Sequence, residues 1–387
     1  MNIGFLRHAE VDSHDTYSLV PSRLSTHPMF CSKLRKYVSV VQPHQAGIAL
    51  LGSGIFIREE HLPAVLACSS LTLKAIYSRS HKSAQALTSS LPSNHKDVSS
   101  YSDDGSENLD ALLARTDVQA VIIALPIANQ AQYVRKSLQA GKHVLSEKPV
   151  AENVAEAVQL LSWYKQSILP DGVFWSVAEN VRFWETALRA GEVRKDLGRA
   201  LTFRYKRAAL VEAGGKYFET EWRKVATHQG GFLLDGGVHD VAALRLILGR
   251  DDPLINLNAI ATQLQQHLAP VDTIEAVVRT KSGAVGSVSI SFGSTMKPGS
   301  ECTVACEKGL VARERDGVVL NGEKETVQDE GSGVAPEVRR WAECILQKTQ
   351  DPRQRPEEAL ADLEVIEACL RSGENGGQLI QLKYQNV

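Results

Sequence analysis

Apolar and polar positions follow one rhythm in the first half of the chain and another in the second. Residues 46–51 (AGIALL) form a short apolar run that predicts a buried strand. It leads through Gly52-Ser53-Gly54-Ile55-Phe56-Ile57 to a helix start near Arg58-Glu59-Glu60. Residues 71–77 predict a second strand and 81–90 a helix. Residues 92–106 (PSNHKDVSSYSDDGS) are polar and predict a loop. The pattern then predicts a helix over 109–115, a buried strand over 118–125 ending at Pro126, and a helix over 129–140. A strand over 142–145 and a helix over 151–165 complete it. Strands and helices that take turns with short connections call for a doubly wound parallel sheet.

Beyond residue 170 the rhythm changes. Residues 172–178 predict one more strand and 183–191 a helix. Residues 200–207, 272–280, 284–292 and 301–307 then alternate apolar and polar side chains, as in a sheet covered on one face. Closing helices are predicted over 337–347 and 357–371, near Pro336 and Pro356, as proline at helix starts suggests. The predicted class is α/β: an N-terminal doubly wound parallel sheet, then a C-terminal α+β domain with a largely antiparallel open sheet. The boundaries drawn from this are an extension over 1–45, a first domain over 46–170 and a second over 171–387. The extension is rich in Ser, His and Pro without sustained period, and is expected to be poorly ordered.

Composition narrows the classes. At 387 residues the chain is long enough for two cores, and 43% hydrophobic with 23% charged residues is ordinary for a globular protein. A net charge of -2 offers no basic field for nucleic acid. No apolar run approaches the ~20 residues that span a bilayer, and the N-terminus lacks the apolar core of a signal peptide. The six cysteines, Cys31, Cys68, Cys302, Cys306, Cys344 and Cys369, make no zinc-type spacing. Scattered cysteines suggest a reducing compartment, so a cytoplasmic protein without a metal site is expected.

The turn after the first strand carries chemistry. Glycines at 52 and 54 let a backbone approach a pyrophosphate, and the following helix offers its N-terminal N–H groups and positive dipole end. A lone Gly-x-Gly is also compatible with a plain turn, but this one opens a strand–helix–strand unit, the context of a Rossmann dinucleotide site. Ser53, Ile55 and Phe56 complete the loop. Position 57, where the fingerprint has a third glycine or alanine, is Ile. At the end of the second strand an NAD binder places an acid on the ribose hydroxyl. Here Ser78-Arg79 stands instead, which suits a 2′-phosphate, so NADP is expected and NAD less so.

Two further stretches suggest catalysis. Ser146-Glu147-Lys148-Pro149 ends a predicted strand with a Lys held at its tip. The run Gly230-Gly231-Phe232-Leu233-Leu234-Asp235-Gly236-Gly237-Val238-His239 opens a helix on which Asp235 and His239, four apart, share a face. An imidazole suits proton exchange with a hydroxyl near neutral pH. By themselves, an Asp and a His at this spacing read as well as a helix cap and a core histidine.

Jointly these motifs resemble the Gfo/Idh/MocA oxidoreductases (glucose–fructose oxidoreductase, inositol dehydrogenase and relatives), and within them an NADP-dependent fungal branch. The resemblance covers about residues 46–380. It rests on Gly52-x-Gly54 with His61-Leu62-Pro63, Gly141-Lys142-His143-Val144 before Glu147-Lys148-Pro149, Ala178-Glu179-Asn180, Trp222-Arg223, and Gly230-Gly231 to Asp235 and His239. It implies catalysis by Lys148, Asp235 and His239: the Lys holds the reacting oxygen, the Asp positions substrate and the His acts as general acid/base. It also implies that Leu125, Asn129, Glu147 and Lys148 face the cofactor, with Asn180 and Arg223 lining the site from the second domain. Where many relatives carry a His after the third strand's Pro, this chain has Asn129-Gln130. The resemblance further implies a small-molecule substrate, a sugar, polyol or small carbonyl compound, and pairing of two copies through the second sheet. Two other readings accompany it: a non-catalytic regulator of the same fold that senses NADP, and a lyase-type enzyme that uses the nicotinamide transiently.

Overall fold

The computed structural model describes residues 45–225 and 228–386, so the expected N-terminal extension lies outside the described residues. The first sheet contains β1 (Ala46–Leu51), β2 (Leu71–Ser78), β3 (Ser99–Ser102), β4 (Ala120–Ile123), β5 (His143–Glu147) and β6 (Trp175–Ala178). Their order is β3-β2-β1-β4-β5-β6, and every pairing is parallel. Every residue of β1 and β4 is buried, which is why both read as unbroken apolar runs. Chain direction across the sheet reverses between β1 and β4, and in such sheets ligands bind beyond the carboxyl ends of those strands.

Two details differ from the sequence reading. Residues 92–106 are not all loop, because β3 pairs with Ala75–Ser78 of β2. It is an edge strand in which only Tyr101 and Ser102 are buried, so its polar composition concealed it. The last strand, β6, continues the parallel sheet past residue 170.

Helices connect these strands: α1 (Leu62–Ala67), preceded by a wider helical turn at Ile57–His61, then α2 (His81–Ser89), α3 (Leu109–Leu113), α4 (Ile127–Gln139) and α5 (Val154–Ser167). Three start on side-chain caps, Ser80, Asn108 and Asn153, each accepting a backbone N–H three residues on.

The second sheet has nine strands among the described residues. They are β7 (Ala200–Ala208), β8 (Leu254–Thr262), β9 (Thr273–Thr280), β10 (Val285–Ser291), β11 (Gly299–Cys306), β12 (Gly309–Glu314), β13 (Gly317–Leu320), β14 (Glu323–Thr326) and β15 (Ile380–Gln381). The order is β14-β13-β12-β11-β7-β10-β9-β8-β15. All neighbours are antiparallel except β7 and β10. The chain also forms α6 (Glu185–Asp196), α7 (Glu221–Lys224), α8 (Gly231–Leu248), α9 (Val334–Gln347) and α10 (Pro356–Glu374). Helices α8 and α10 cover one face of the sheet. The other exposes Leu201, Val277 and Val285.

Helix α9 belongs elsewhere. Its Val334, Val338, Trp341, Ala342 and Ile345 are buried in one cluster with Ile48, Leu50, Ile57, Ala120 and Ile122 of the parallel-sheet region. No helix among the described residues is long and apolar enough to cross a membrane.

Candidate active site

The end of β1 sets the nucleotide end of a cleft of about 920 Å³. Gly52 takes φ +128°, and a Cβ there would lie 2.5 Å from the carbonyl oxygen of Ala124. Only glycine lets the turn pack this closely on the end of β4. Gly54 is the opposite case: a Cβ there would meet no atom within 4 Å. Among the described residues none needs a glycine at 54, yet the residue lines the cleft, as fits a backbone that a ligand approaches. No side chain caps the helix that follows, and helix geometry leaves its first N–H groups without intrahelical partners. Ser53 and Ser78 share a hydroxyl–hydroxyl hydrogen bond of 2.8 Å, which ties the loop to the end of β2. Arg58 Nε donates to Ser53 O at 2.8 Å. Beside them Arg79 is exposed and lines the same cleft. These residues fit a dinucleotide. Ile57, at the third fingerprint position, is fully buried and serves the core.

Where the two sheets meet, charged groups are held by one another. Lys148, at the end of β5, donates from Nζ to Asp235 Oδ1 at 2.8 Å and to Asp235 O at 2.9 Å. Arg223 Nε donates to the other oxygen, Oδ2, at 2.8 Å. Burial alone would raise the Asp235 carboxyl. The two cations outweigh it and hold the carboxyl well below the usual carboxylate range. One turn along α8, His239 Nδ1 is hydrogen-bonded to Glu179 Oε1. Glu179 is buried at 1% exposure, directly after β6. Burial pushes its carboxyl up, but the charge and hydrogen bond of His239 draw it below its ordinary value. One strand over, Glu147 Oε1 is bonded to His61 Nε2 at 2.7 Å, and its Oε2 accepts the Lys148 backbone N–H at 3.2 Å.

The helix that carries Asp235 and His239 starts at Gly231, so both lie well inside it and share a face. Glycines at 230 and 231 have positive φ, and Gly236 faces Phe292 so closely that a Cβ would sit 2.5 Å from its Cζ. The glycines seat α8 against its neighbours.

Of the residues singled out from sequence, Gly52, Ser53, Gly54, Ile55, Phe56, Ser78, Arg79, Leu125, Glu147, Lys148, Asn180, Arg223, Asp235 and His239 all line this one cleft. Asn129 does not; it lies in the first turn of α4, with its N–H on Pro126 O. Asn180 lines the cleft, but its side-chain amide is occupied with Ser332 O. The sequence reading gave no role to Glu179, Arg207, Tyr217, Phe232, Asp240 and Phe292, which share the cleft or touch its charged groups. Only Glu179 carried a signal. It follows β6 as Glu147 ends β5, with Glu147 opposite Ala178 in the register.

A doubly wound sheet with a glycine loop, facing a second domain that closes a charged cleft over it, defines an NAD(P)-dependent oxidoreductase. Residues 46–168 match the NAD-binding Rossmann domain of the Gfo/Idh/MocA oxidoreductases, and residues 194–382 match that family's C-terminal alpha/beta domain. The chain belongs to this family. A dehydrogenase of Fusarium mangiferae, FPY6, is 40% identical over 357 residues, covering 88% of this chain and 99% of that protein. The Saccharomyces cerevisiae protein YMR315W is 27% identical, covering 87% of this chain and 98% of its own. The solved structure of an oxidoreductase from Thermotoga maritima is 28% identical and superposes with a TM-score of 0.77, over 87% of this chain and 98% of that one.

Proposed function

We propose that the chain is an NADP(H)-dependent oxidoreductase acting on a small alcohol or carbonyl compound, sugars and polyols included. The nicotinamide, when bound, supplies or accepts the hydride; the protein positions the reacting carbon and moves the proton. The observation that carries this reading is the convergence of Lys148, Asp235 and the His239–Glu179 pair in the cleft that begins at the glycine loop.

Each group has a distinct task. Lys148 has three N–H donors, and Asp235 takes two of them. The third is available to the substrate oxygen, whose negative charge grows as its proton departs. Asp235 is the shared acceptor that fixes Lys148 and Arg223, and it offers a hydroxyl of the substrate an acceptor. Glu179 is drawn toward its ionised form, which can only accept, so His239 Nδ1 carries the proton in that pair. Nε2 is thereby left as the base. In oxidation it takes the hydroxyl proton; in reduction it returns one. Lys148→Met and His239→Asn are expected to abolish turnover, followed by NADPH absorbance, while NADP+ still binds in calorimetry. Undiminished turnover in either variant removes that residue from the mechanism.

Ser78 and Arg79 support the preference for NADP. A guanidinium and a hydroxyl suit a 2′-phosphate, which an acid at that strand end would repel. The exposed apolar side chains on the open face of the second sheet support pairing of two copies there. Light scattering on a Val277→Lys variant tests this, with the monomer as the expected product.

A further inference from the structure

Among the described residues, charge pairing in the cleft leaves one cation of the second domain over. Lys148 and Arg223 are both engaged by Asp235. Arg207 is not. Along β7, Phe203 and Tyr205 are buried on the helix-covered face while Thr202 and Arg204 are exposed on the other. Arg207 follows Phe203 and Tyr205 in parity, so the pleat sends its side chain to the covered face at the strand's end. There it lines the cleft, its guanidinium carbon 5.9 Å from the centre of the Phe292 ring. Among the described residues it has no carboxylate within ion-pair distance and no side-chain hydrogen bond. Asp240, the acid it acts on electrostatically, gives Oδ1 to the Tyr205 hydroxyl at 2.7 Å, and burial pushes its carboxyl above the ordinary range.

An arginine on the covered side of a sheet is normally paired. This one is met by the cleft alone. The surrounding wall is aromatic: Phe232 packs edge-to-face on Phe292 at 5.3 Å, and Tyr217 and Trp222 line the same space. Aromatic faces give a ring of hydroxyls few partners but suit an apolar body. One guanidinium fork matches one carboxylate in charge and in geometry, whereas a phosphate dianion leaves a charge unmet.

We infer that the substrate is an alcohol or carbonyl compound carrying a carboxylate on an apolar or aromatic body, and that Arg207 binds that carboxylate. This rests on the functional reading above for the reaction, but the binding step is tested without turnover.

The full chain, saturated with NADPH, is titrated by calorimetry with three alcohols that the reduced cofactor cannot oxidise: 4-(hydroxymethyl)benzoate, 4-methylbenzyl alcohol and myo-inositol. Phenyl phosphate is a fourth probe. The benzoate is expected to bind at least ten-fold tighter than the neutral aromatic alcohol and than inositol. Arg207→Gln should close that gap, and Arg207→Lys, which keeps the charge without the fork, should retain part of it. Equal affinity of the benzoate and the neutral alcohol, or a gap that survives Arg207→Gln, overturns the assignment. Tightest binding by phenyl phosphate overturns the carboxylate, and tightest binding by inositol overturns the apolar body. Turnover is then scored separately with NADP+. A binding gap without turnover speaks against the oxidoreductase reading alone, whereas turnover of neutral alcohols without a gap speaks against Arg207 alone.

Discussion

Replacing Gly52 and Gly54 by alanine, one at a time, separates what the loop does for the fold from what it does for a ligand. Gly52 holds φ +128°, and a methyl group there would meet the Ala124 carbonyl oxygen at 2.5 Å. Holding a non-glycine residue in such a conformation costs about 1–3 kcal/mol. Crowding a backbone oxygen that cannot retreat without moving β4 adds about 1–3 kcal/mol. A loss of roughly 2–6 kcal/mol is a large part of the ~5–15 kcal/mol that holds a protein folded. At about 2 °C per kcal/mol, the melting temperature falls by roughly 4–12 °C. Gly54→Ala meets no neighbour within 4 Å, so the ligand-free melting temperature should stay within about 1–2 °C of the parent, a change of under ~0.5 kcal/mol. Its methyl group instead stands in the cleft, and NADP+ affinity should drop at least about ten-fold, or ~1.4 kcal/mol. Scanning calorimetry without cofactor and isothermal titration with NADP+ measure the two effects. If Gly54→Ala binds NADP+ as the parent does, or if it is the variant that melts early, the assignment of the loop is wrong.

Arg79→Ala should narrow the difference in affinity between NADP+ and NAD+, chiefly by weakening NADP+; preference unchanged in calorimetry would refute the role given to Ser78-Arg79. Glu179→Gln keeps the shape but not the charge behind His239, so kcat should fall roughly 10²–10⁴-fold. Cofactor affinity should be retained, and a smaller loss in steady-state rates would mean that Glu179 only packs. Asp351 provides a pH test away from the cleft. Burial raises its carboxyl, but hydrogen bonds from Arg353 and Arg340 outweigh that and bring it down to about 2. A depressed carboxyl stabilises the fold above its unfolded value of ~3.9 and loses that contribution as pH falls toward the folded value. Asp351→Asn should therefore be less stable than the parent at pH 7 in urea unfolding, with the gap closing between about pH 4 and pH 2.

The parallel sheet was legible because β1, β2, β4 and β5 are buried on both faces and alternate with helices. The edge strand β3 was hidden because it buries only Tyr101 and Ser102. In the second domain β7, β9, β10 and β11 showed their alternation, but β8 and β12 to β14 did not enter the reading. β13 and β14 are only four residues each, and β14 is exposed throughout. Lys148, Asp235 and His239, which the structure brings into one cleft, could be singled out because strand ends and helix spacing are local signals. Glu179 and Arg207 were missed because their meaning depends on partners 60 residues away in one case, and on the lack of any in the other. Asn129 was chosen by analogy with relatives; it lies in the first turn of α4 and does not line the cleft.

Helix α9 makes the order of synthesis matter. The parallel sheet is complete once β6 has left the ribosome, yet one of its two hydrophobic layers still lacks Val334, Val338, Trp341 and Ile345. Four such side chains contribute on the order of 6–12 kcal/mol at about 1.5–3 kcal/mol each, as much as holds an ordinary domain together. The nascent nucleotide-binding half must therefore wait for about 170 further residues, roughly 10–30 s at ~5–20 residues per second, with apolar surface uncovered. A fragment that ends after Ala178 should accordingly aggregate rather than fold, and adding back residues 334–347 as a separate peptide should rescue its solubility. Although its two sheets occupy separate stretches of sequence, the first closes one of its hydrophobic layers only with α9, which follows most of the second.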